Sequence, residues 1–141
     1  MAITRTNTSK AGTPDGLTFT TATFDVPSGT SLITGYLADW GAVAASVLTN
    51  NHSDTVVMGT EQVNGVTDRV RAFWIISPTA DATYSLTVTH AGLCYASLAW
   101  GWYAGSHASA PFDAQNGAAA GGNTGNLVPS EDNCLITCGS V

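Results

Sequence analysis

The sequence predicts an all-β protein, an antiparallel β-sandwich of the Ig-like or jelly-roll type with essentially no helix. Strand-like runs that alternate apolar and polar residues recur at short intervals, and Gly, Pro, Asn and Asp separate them. The one helix-like run, GAVAASVL at 41–48, has neither sustained 3.6-residue periodicity nor a capping box. No repeat or linker divides the chain, so residues 17–141 are predicted to form a single domain behind an extended N-terminal arm at residues 1–16.

The first predicted strand, LTFTTATFDV at 17–26, alternates threonines with apolar residues. Its apolar phase slips between Phe19 and Phe24, which predicts a bulge or a crossing of the strand between two sheets. Pro27-Ser28-Gly29 ends the run.

Seven further strands are predicted by the same alternation, and turn residues separate most of them. They cover residues 31–40, 44–49, 55–63, 68–76, 84–90, 93–103 and 134–141. NNHSD at 50–54 is a polar turn, Asn64-Gly65 predicts a hairpin, Ser77-Pro78 ends a strand, and Ala91-Gly92 predicts another turn. Val141 falls inside the last β pattern, so the natural protein either ends with this strand or continues beyond it.

The composition predicts a neutral, polar surface. Charged residues are 10% of the chain, against a usual value of about 25%. The net charge is −6, and the only cations are Arg5, Lys10, Arg69 and Arg71. Four scattered cations cannot neutralise a run of phosphates or an anionic membrane, so neither nucleic acid nor membrane is an expected partner.

A surface of this kind is typical of proteins outside cells or on virus particles. The start of the chain, MAITRTNTSKAG, nevertheless lacks the apolar core of a secretion signal. A virion protein reconciles the two observations, because it assembles in the host cytoplasm and meets the extracellular medium after lysis. A recombinant fragment or a different export route would also reconcile them.

The three cysteines, Cys94, Cys134 and Cys138, are interpreted as buried thiols. In a regular strand Cys134 and Cys138 would lie about 13 Å apart, beyond the roughly 7 Å that a disulfide allows. Cys94 could pair with either of them if its strand lay alongside. No paired Cys or His spacing accompanies them, so no metal and no cofactor are predicted.

The strand at 93–103 concentrates aromatic residues. Alternation places one continuous apolar row on its inner face: Cys94, Ala96, Leu98, Trp100 and Trp102. The predicted core aromatics of the chain are Phe73, Trp74, Tyr84 and Trp100. Candidates for contact with a partner or a glycan are Trp102 with Tyr103, at the end of this strand, and Trp40 with Asp39.

No catalytic residue is predicted. There is no G-x-S-x-G elbow, and His107 near Asp113 lies in a small-residue stretch that is typical of a solvated turn. Most carboxylates lie at strand ends, where turn chemistry explains them. A calcium site in the 50–54 turn remains open, although the D-x-D-x-D-G loop is absent.

The second half of the chain, from about Arg71 to Val141, resembles a β-sandwich module that recurs in phage virion and bacterial surface proteins. The resemblance rests on four segments: FWIISP (73–78), YSLTVTHAG (84–92), WYAGSHASAPFDA (102–114) and DNCLITCGSV (132–141). The chain departs from the module at Trp100 and Trp102, where smaller residues are expected. The resemblance implies a structural or adhesive role and carries over no catalytic residues.

These observations predict a non-enzymatic structural protein of a virus particle, either a phage capsid decoration (cement) protein or a tail or fibre module. The expected partners are identical copies and other virion proteins. The arm at 1–16 and the small-residue stretch at 104–128 are expected to clasp them. The alternative is a carbohydrate-binding, lectin-like or adhesion module that uses the surface aromatics.

Overall fold

The computed structural model describes residues 4–41 and 46–106, with side chains for 17–41, 46–92 and 94–106. These residues are all β, with antiparallel pairing and no helix, which confirms the predicted fold class. Within them no helix exists that could cross a membrane. The strand predicted at 134–141, Cys134, Cys138 and nearly all of the 104–128 stretch lie outside the described residues.

Nine strands follow one another in the described chain. They are β1 (Thr4–Thr20), β2 (Phe24–Val26), β3 (Thr30–Trp40), β4 (Val47–Asn50), β5 (Val57–Met58), β6 (Gln62–Asn64), β7 (Asp68–Ile76), β8 (Asp81–Tyr84) and β9 (Leu86–Ala104). Seven form one sheet in the order β1-β9-β3-β7-β5, with β4 beside β9 and β6 beside β7. The other two, β2 and β8, form a small second sheet.

The slip of the apolar phase between Phe19 and Phe24 predicted either a bulge or a crossing between sheets, and the structure shows the crossing. β1 ends at Thr20 in the large sheet, and β2 begins at Phe24 in the small one. Thr21, between them, donates its backbone N–H to Leu86 O (2.9 Å) and accepts the Leu86 N–H on its hydroxyl oxygen (3.1 Å). These bonds satisfy backbone groups that the change of sheet would otherwise leave unpaired.

The turn predicted at Ala91-Gly92 is wrong, because β9 continues through it without reversing. The extra residues form a bulge: Thr18 pairs with Thr89 and Gly16 with Cys94, so the six residues 89–94 of β9 lie against three residues of β1. The partner on the other side of β9 also changes here. β4 pairs with the stretch before the bulge and β3 with the stretch after it.

One further predicted turn is present in the structure, and one predicted strand is divided in two. The Asn64-Gly65 hairpin is confirmed: Asn64 pairs with Asp68, and Gly65 has the positive φ (68°) that such a turn favours in glycine. The strand predicted at 55–63 is instead divided into β5 and β6.

The inner faces of the two sheets share one hydrophobic core. It contains Val26, Ile33, Leu37, Leu48, Phe73, Ile75, Tyr84, Leu86, Val88, Ala96, Leu98, Trp100 and Trp102. The predicted inner row of β9, from Cys94 to Trp102, is buried as expected. Trp74 does not belong to the buried core: it is half-buried, and strand alternation places it on the face opposite Phe73 and Ile75.

Candidate functional site

A group of buried polar side chains lies where β9 changes partners. We call Asp39, Ser46, His90 and Cys94 the polar core cluster. Asp39 is the penultimate residue of β3, and Ser46 directly precedes β4. His90 is the first residue of the β9 bulge, and Cys94 is the first paired residue after it. In a regular strand His90 and Cys94 would stand about 13 Å apart, so it is the bulge that lets their side chains meet.

The cluster is almost completely withdrawn from solvent. Its members are 1% (Asp39), 2% (Ser46), 6% (His90) and 3% (Cys94) exposed. Ser46 Oγ lies 2.5 Å from His90 Nδ1, and Asp39 Oδ1 lies 3.8 Å from the same nitrogen. Potential ligand atoms of Asp39, His90 and Cys94 all lie within 4.8 Å of one another.

Two polar atoms of the cluster lack a hydrogen-bond partner among the described residues, namely Asp39 Oδ1 and His90 Nε2. A buried carboxylate oxygen without a donor is costly, because it has lost its water and gained nothing in exchange. Among the described residues, the cluster therefore leaves one buried carboxylate oxygen without a donor.

The nearest described cations are already engaged elsewhere. Arg71 donates from its guanidinium to the backbone carbonyl of Ser46, and its Nε lies 3.9 Å from Glu61 Oε2. Arg69 donates from Nε to Glu61 Oε1 at 3.2 Å. Glu61 thus pairs with both arginines and offsets one of their two positive charges, while Arg71 ties the backbone of Ser46 to β7.

The cluster contains the residue types of a nucleophilic triad but not its geometry. In a triad the serine and the carboxylate contact opposite nitrogens of the histidine ring. Here Ser46 and Asp39 both approach Nδ1 of His90. Ser46 is also buried, so a substrate carbonyl has no access to its hydroxyl.

The residues expected to contact a partner or a glycan are mostly buried. Trp102, Tyr103 and Asp39 are 4%, 5% and 1% exposed, and Trp40 is half-buried. Asp39 and Trp40 are consecutive residues of β3, so their side chains point to opposite faces. The pair does not form a joint sugar contact.

The ring face of Trp102 is occupied from within the protein. Phe24 stacks on it with ring centroids 5.3 Å apart and planes inclined by 19°, and it also contacts Trp100 at 5.2 Å. The Phe24 ring therefore takes the place that a sugar would need on Trp102.

The polar turn at 50–54 forms a second polar site, centred on Asp54. The Asp54 carboxylate accepts hydrogen bonds from the Thr79 N–H and hydroxyl (both 2.8 Å) and from the Tyr84 hydroxyl (2.9 Å). Asn50 Oδ1 accepts the backbone N–H groups of His52 and Asp54, each at 3.0 Å, as in an Asx turn. The carboxylate thus binds protein donors, which explains its position without a calcium ion.

These contacts shift the pKa values of Asp54 and Tyr84. Burial raises the pKa of Asp54, but the hydrogen bonds from Thr79 and Tyr84 and the nearby His52 outweigh it, so the net pKa is lowered. Burial, assisted by the hydrogen bond to Asp54 and by its negative charge, raises the pKa of Tyr84 far above its ordinary value. Both shifts have the direction expected when a neutral Tyr84 phenol donates a hydrogen bond to an ionised Asp54 carboxylate.

Six side chains cover the solvent side of β1, β9 and β4 near one end of the large sheet. Its two rows across the strands are Thr18–Thr89–Val47 and Thr20–Thr87–Thr49. We call these six residues the threonine face. Thr87 is partly exposed and the other five are exposed, and none is charged.

The threonine face is a direct result of alternation along the three strands. Phe19, Val88 and Leu48, which lie between its members in sequence, point inward to the core. Thr20 and Thr87 join their hydroxyls across the sheet at 2.9 Å, and Thr49 donates to Thr87 O at 3.4 Å. Strand pairing and these bonds fix the array in a regular arrangement.

Neither the threonine face nor the polar core cluster was predicted from the sequence, for different reasons. The threonine alternation was visible in LTFT, VLT and TVT, but only the register aligns the three segments. The polar core cluster joins three separated segments through a bulge, and no spacing in the sequence indicates it.

In comparisons with known proteins, no family model matches the chain, and no curated protein or solved structure matches it at a significant level.

Proposed function

We propose that this chain is a non-enzymatic structural protein of a virus particle, either a phage capsid decoration protein or a tail or fibre module. It acts by packing the threonine face against identical copies and against other virion proteins. The observation that carries the proposal is the threonine face itself, an exposed, uncharged and regular surface built on three paired strands.

The chemistry of this surface suits association between proteins. Charged groups are depleted from the centres of protein interfaces, because desolvating them is costly. The threonine face carries no charge, so a neighbouring protein can cover it without burying an unpaired ion. Its methyl groups gain from burial, and its hydroxyls can donate to or accept from a partner.

The side of β1 that pairs with no other described strand supports the same function. Among the described strands, β1 pairs only with β9, along most of its 17 residues. An edge strand with unpaired backbone groups can accept a strand from another chain by continued antiparallel or parallel pairing. A virion protein can use such an edge to join neighbouring subunits.

The remaining support comes from composition and from the resemblance of residues 71–141 to a phage virion module. Charged residues are 10% of the chain, which leaves a largely neutral surface for packing. The buried Trp102 and Tyr103 argue against the alternative of a lectin that stacks sugars on these two rings.

The virion assignment is tested by quantitative mass spectrometry of purified particles from the source material. We expect the chain in a fixed ratio to the major capsid or tail protein, and we expect the ratio to persist through density-gradient purification. Absence of the chain from intact particles, or its loss at the first gradient step, would overturn the assignment.

A further inference from the structure

We propose that Asp39, His90 and Cys94 of the polar core cluster bind one transition-metal ion, with zinc as the expected metal. This site is independent of the proposed virion role. It would hold the bulge of β9 to the end of β3 inside the folded domain.

The donor set selects the class of metal. A thiolate and an imidazole are ligands for zinc and similar borderline metals, whereas calcium and magnesium prefer oxygen ligands alone. A divalent ion bound to one carboxylate, one thiolate and one neutral imidazole gives a site with no net charge. A neutral site is the arrangement that a buried position tolerates best.

An independent observation points to a missing ligand at the same place. Asp39 is 1% exposed, and its Oδ1 has no hydrogen-bond donor among the described residues. Asp39 Oδ1 also lies 3.8 Å from His90 Nδ1. A cation between Asp39 and His90 would satisfy it.

The spacing of the side chains is close to that of a bound ion. The three potential ligand atoms lie within 4.8 Å of one another, whereas tetrahedral zinc with bonds of 2.0–2.3 Å separates its ligands by about 3.5 Å. Small side-chain rotations close this difference, and Asp39 Oδ1 already lies 3.8 Å from His90 Nδ1. Coordination through Nδ1 would replace the contact that this nitrogen makes with Ser46 Oγ at 2.5 Å. Three protein ligands leave the fourth position to a water molecule.

Metal binding would release one proton from the site. The Cys94 thiol loses its proton to solvent as its sulfur bonds to the metal, and nothing is oxidised or reduced. The cluster is buried, so the ion would have a structural role, entering during folding or when the domain opens locally.

The test is a cobalt titration of the full-length protein after treatment with a chelator. We expect one equivalent of Co²⁺ to bind, to produce the near-ultraviolet thiolate-to-cobalt charge-transfer band, and to be displaced by Zn²⁺. Cys94→Ser should abolish the band. Asp39→Asn should weaken Co²⁺ binding at least tenfold.

The other two cysteines provide a matched control. The double variant Cys134→Ser/Cys138→Ser keeps Cys94 as its only thiol and should retain the full band. A band that survives Cys94→Ser but disappears in the double variant would overturn the assignment, as would wild-type protein that binds no cobalt.

A second measurement does not depend on the stability of any variant. X-ray absorption at the zinc edge of the zinc-loaded wild-type protein should show one sulfur and two or three nitrogen or oxygen ligands. A shell made only of nitrogen and oxygen, or one with several sulfurs, would contradict the proposed site.

Discussion

Phe24 of the small sheet stacks on Trp102 of the large sheet, with ring centroids 5.3 Å apart and planes inclined by 19°. The ring centroid of Phe24 also lies 5.5 Å from that of Tyr84, the residue of β8 with which Phe24 pairs. One phenyl ring thus joins the two layers of the protein. The aromatic cluster near the end of β9 is accordingly part of the packing between sheets.

Phe24→Ala should destabilise the domain by about 3 kcal/mol, because it removes a ring that contacts Trp100, Trp102 and Tyr84. Equilibrium urea unfolding followed by tryptophan fluorescence measures the change. Tyr95→Ala is the control, since Tyr95 is 54% exposed and its removal should change the free energy of unfolding by less than about 1 kcal/mol. Equal effects of the two substitutions would contradict the role of Phe24.

Gly35→Ala should destabilise the pairing of β3 with β9. A methyl group at this position would overlap the backbone carbonyl of Ala99, so one of the two strands must shift. We expect a loss of about 1–3 kcal/mol, measured by thermal or urea unfolding. A variant as stable as the wild-type protein would show that the strands do not approach as closely as described.

Gly29→Ala separates this steric effect from backbone strain. Gly29 has a φ of 86° and open space around its missing Cβ, so alanine there meets strain without overlap. Its cost should be about 1 kcal/mol and should leave hydrogen exchange of β3 and β9 unchanged. Gly35→Ala should instead accelerate exchange at the amides of both strands.

Asp54 should make the stability of the domain depend on pH in acid. Its pKa is lower in the folded protein than its ordinary value of 3.8, so the unfolded chain binds more protons as the pH falls. The stabilisation is therefore complete above about pH 5 and is lost as the pH falls through the folded pKa, below 3.8.

Unfolding free energies measured between pH 2.5 and about 6 test this expectation. Asp54→Asn should be less stable than the wild-type protein near neutral pH and should lose less stability in acid. Asp25→Asn, at an exposed position, is the control and should follow the wild-type curve. If Asp54→Asn has the same acid dependence as the wild-type protein, the Thr79 and Tyr84 contacts do not stabilise the carboxylate.

Local patterns predicted much of this fold. β7 begins and ends at the predicted residues, because alternation and the flanking Asn64-Gly65 and Ser77-Pro78 signals agree there. The inner row of β9 and the crossing from β1 to β2 also followed from the period of two residues.

What the sequence could not predict depends on pairing between distant segments. Ala91-Gly92 has the composition of a turn, but β1 pairs with β9 on both sides of it and holds the chain in one direction. The polar core cluster forms only after this bulge is placed beside the ends of β3 and β4. The threonine face likewise needs the register of three strands.

Sedimentation equilibrium of the full-length protein tests association through the threonine face most directly. Wild-type protein should form a reversible oligomer, and Thr89→Lys should weaken association at least tenfold, because it places a charge in the middle strand of the face. Val66→Lys adds the same charge at the 83% exposed hairpin tip and should associate like the wild-type protein. A wild-type protein that stays monomeric at every concentration, or a Thr89→Lys variant that associates as well as Val66→Lys, would contradict the account.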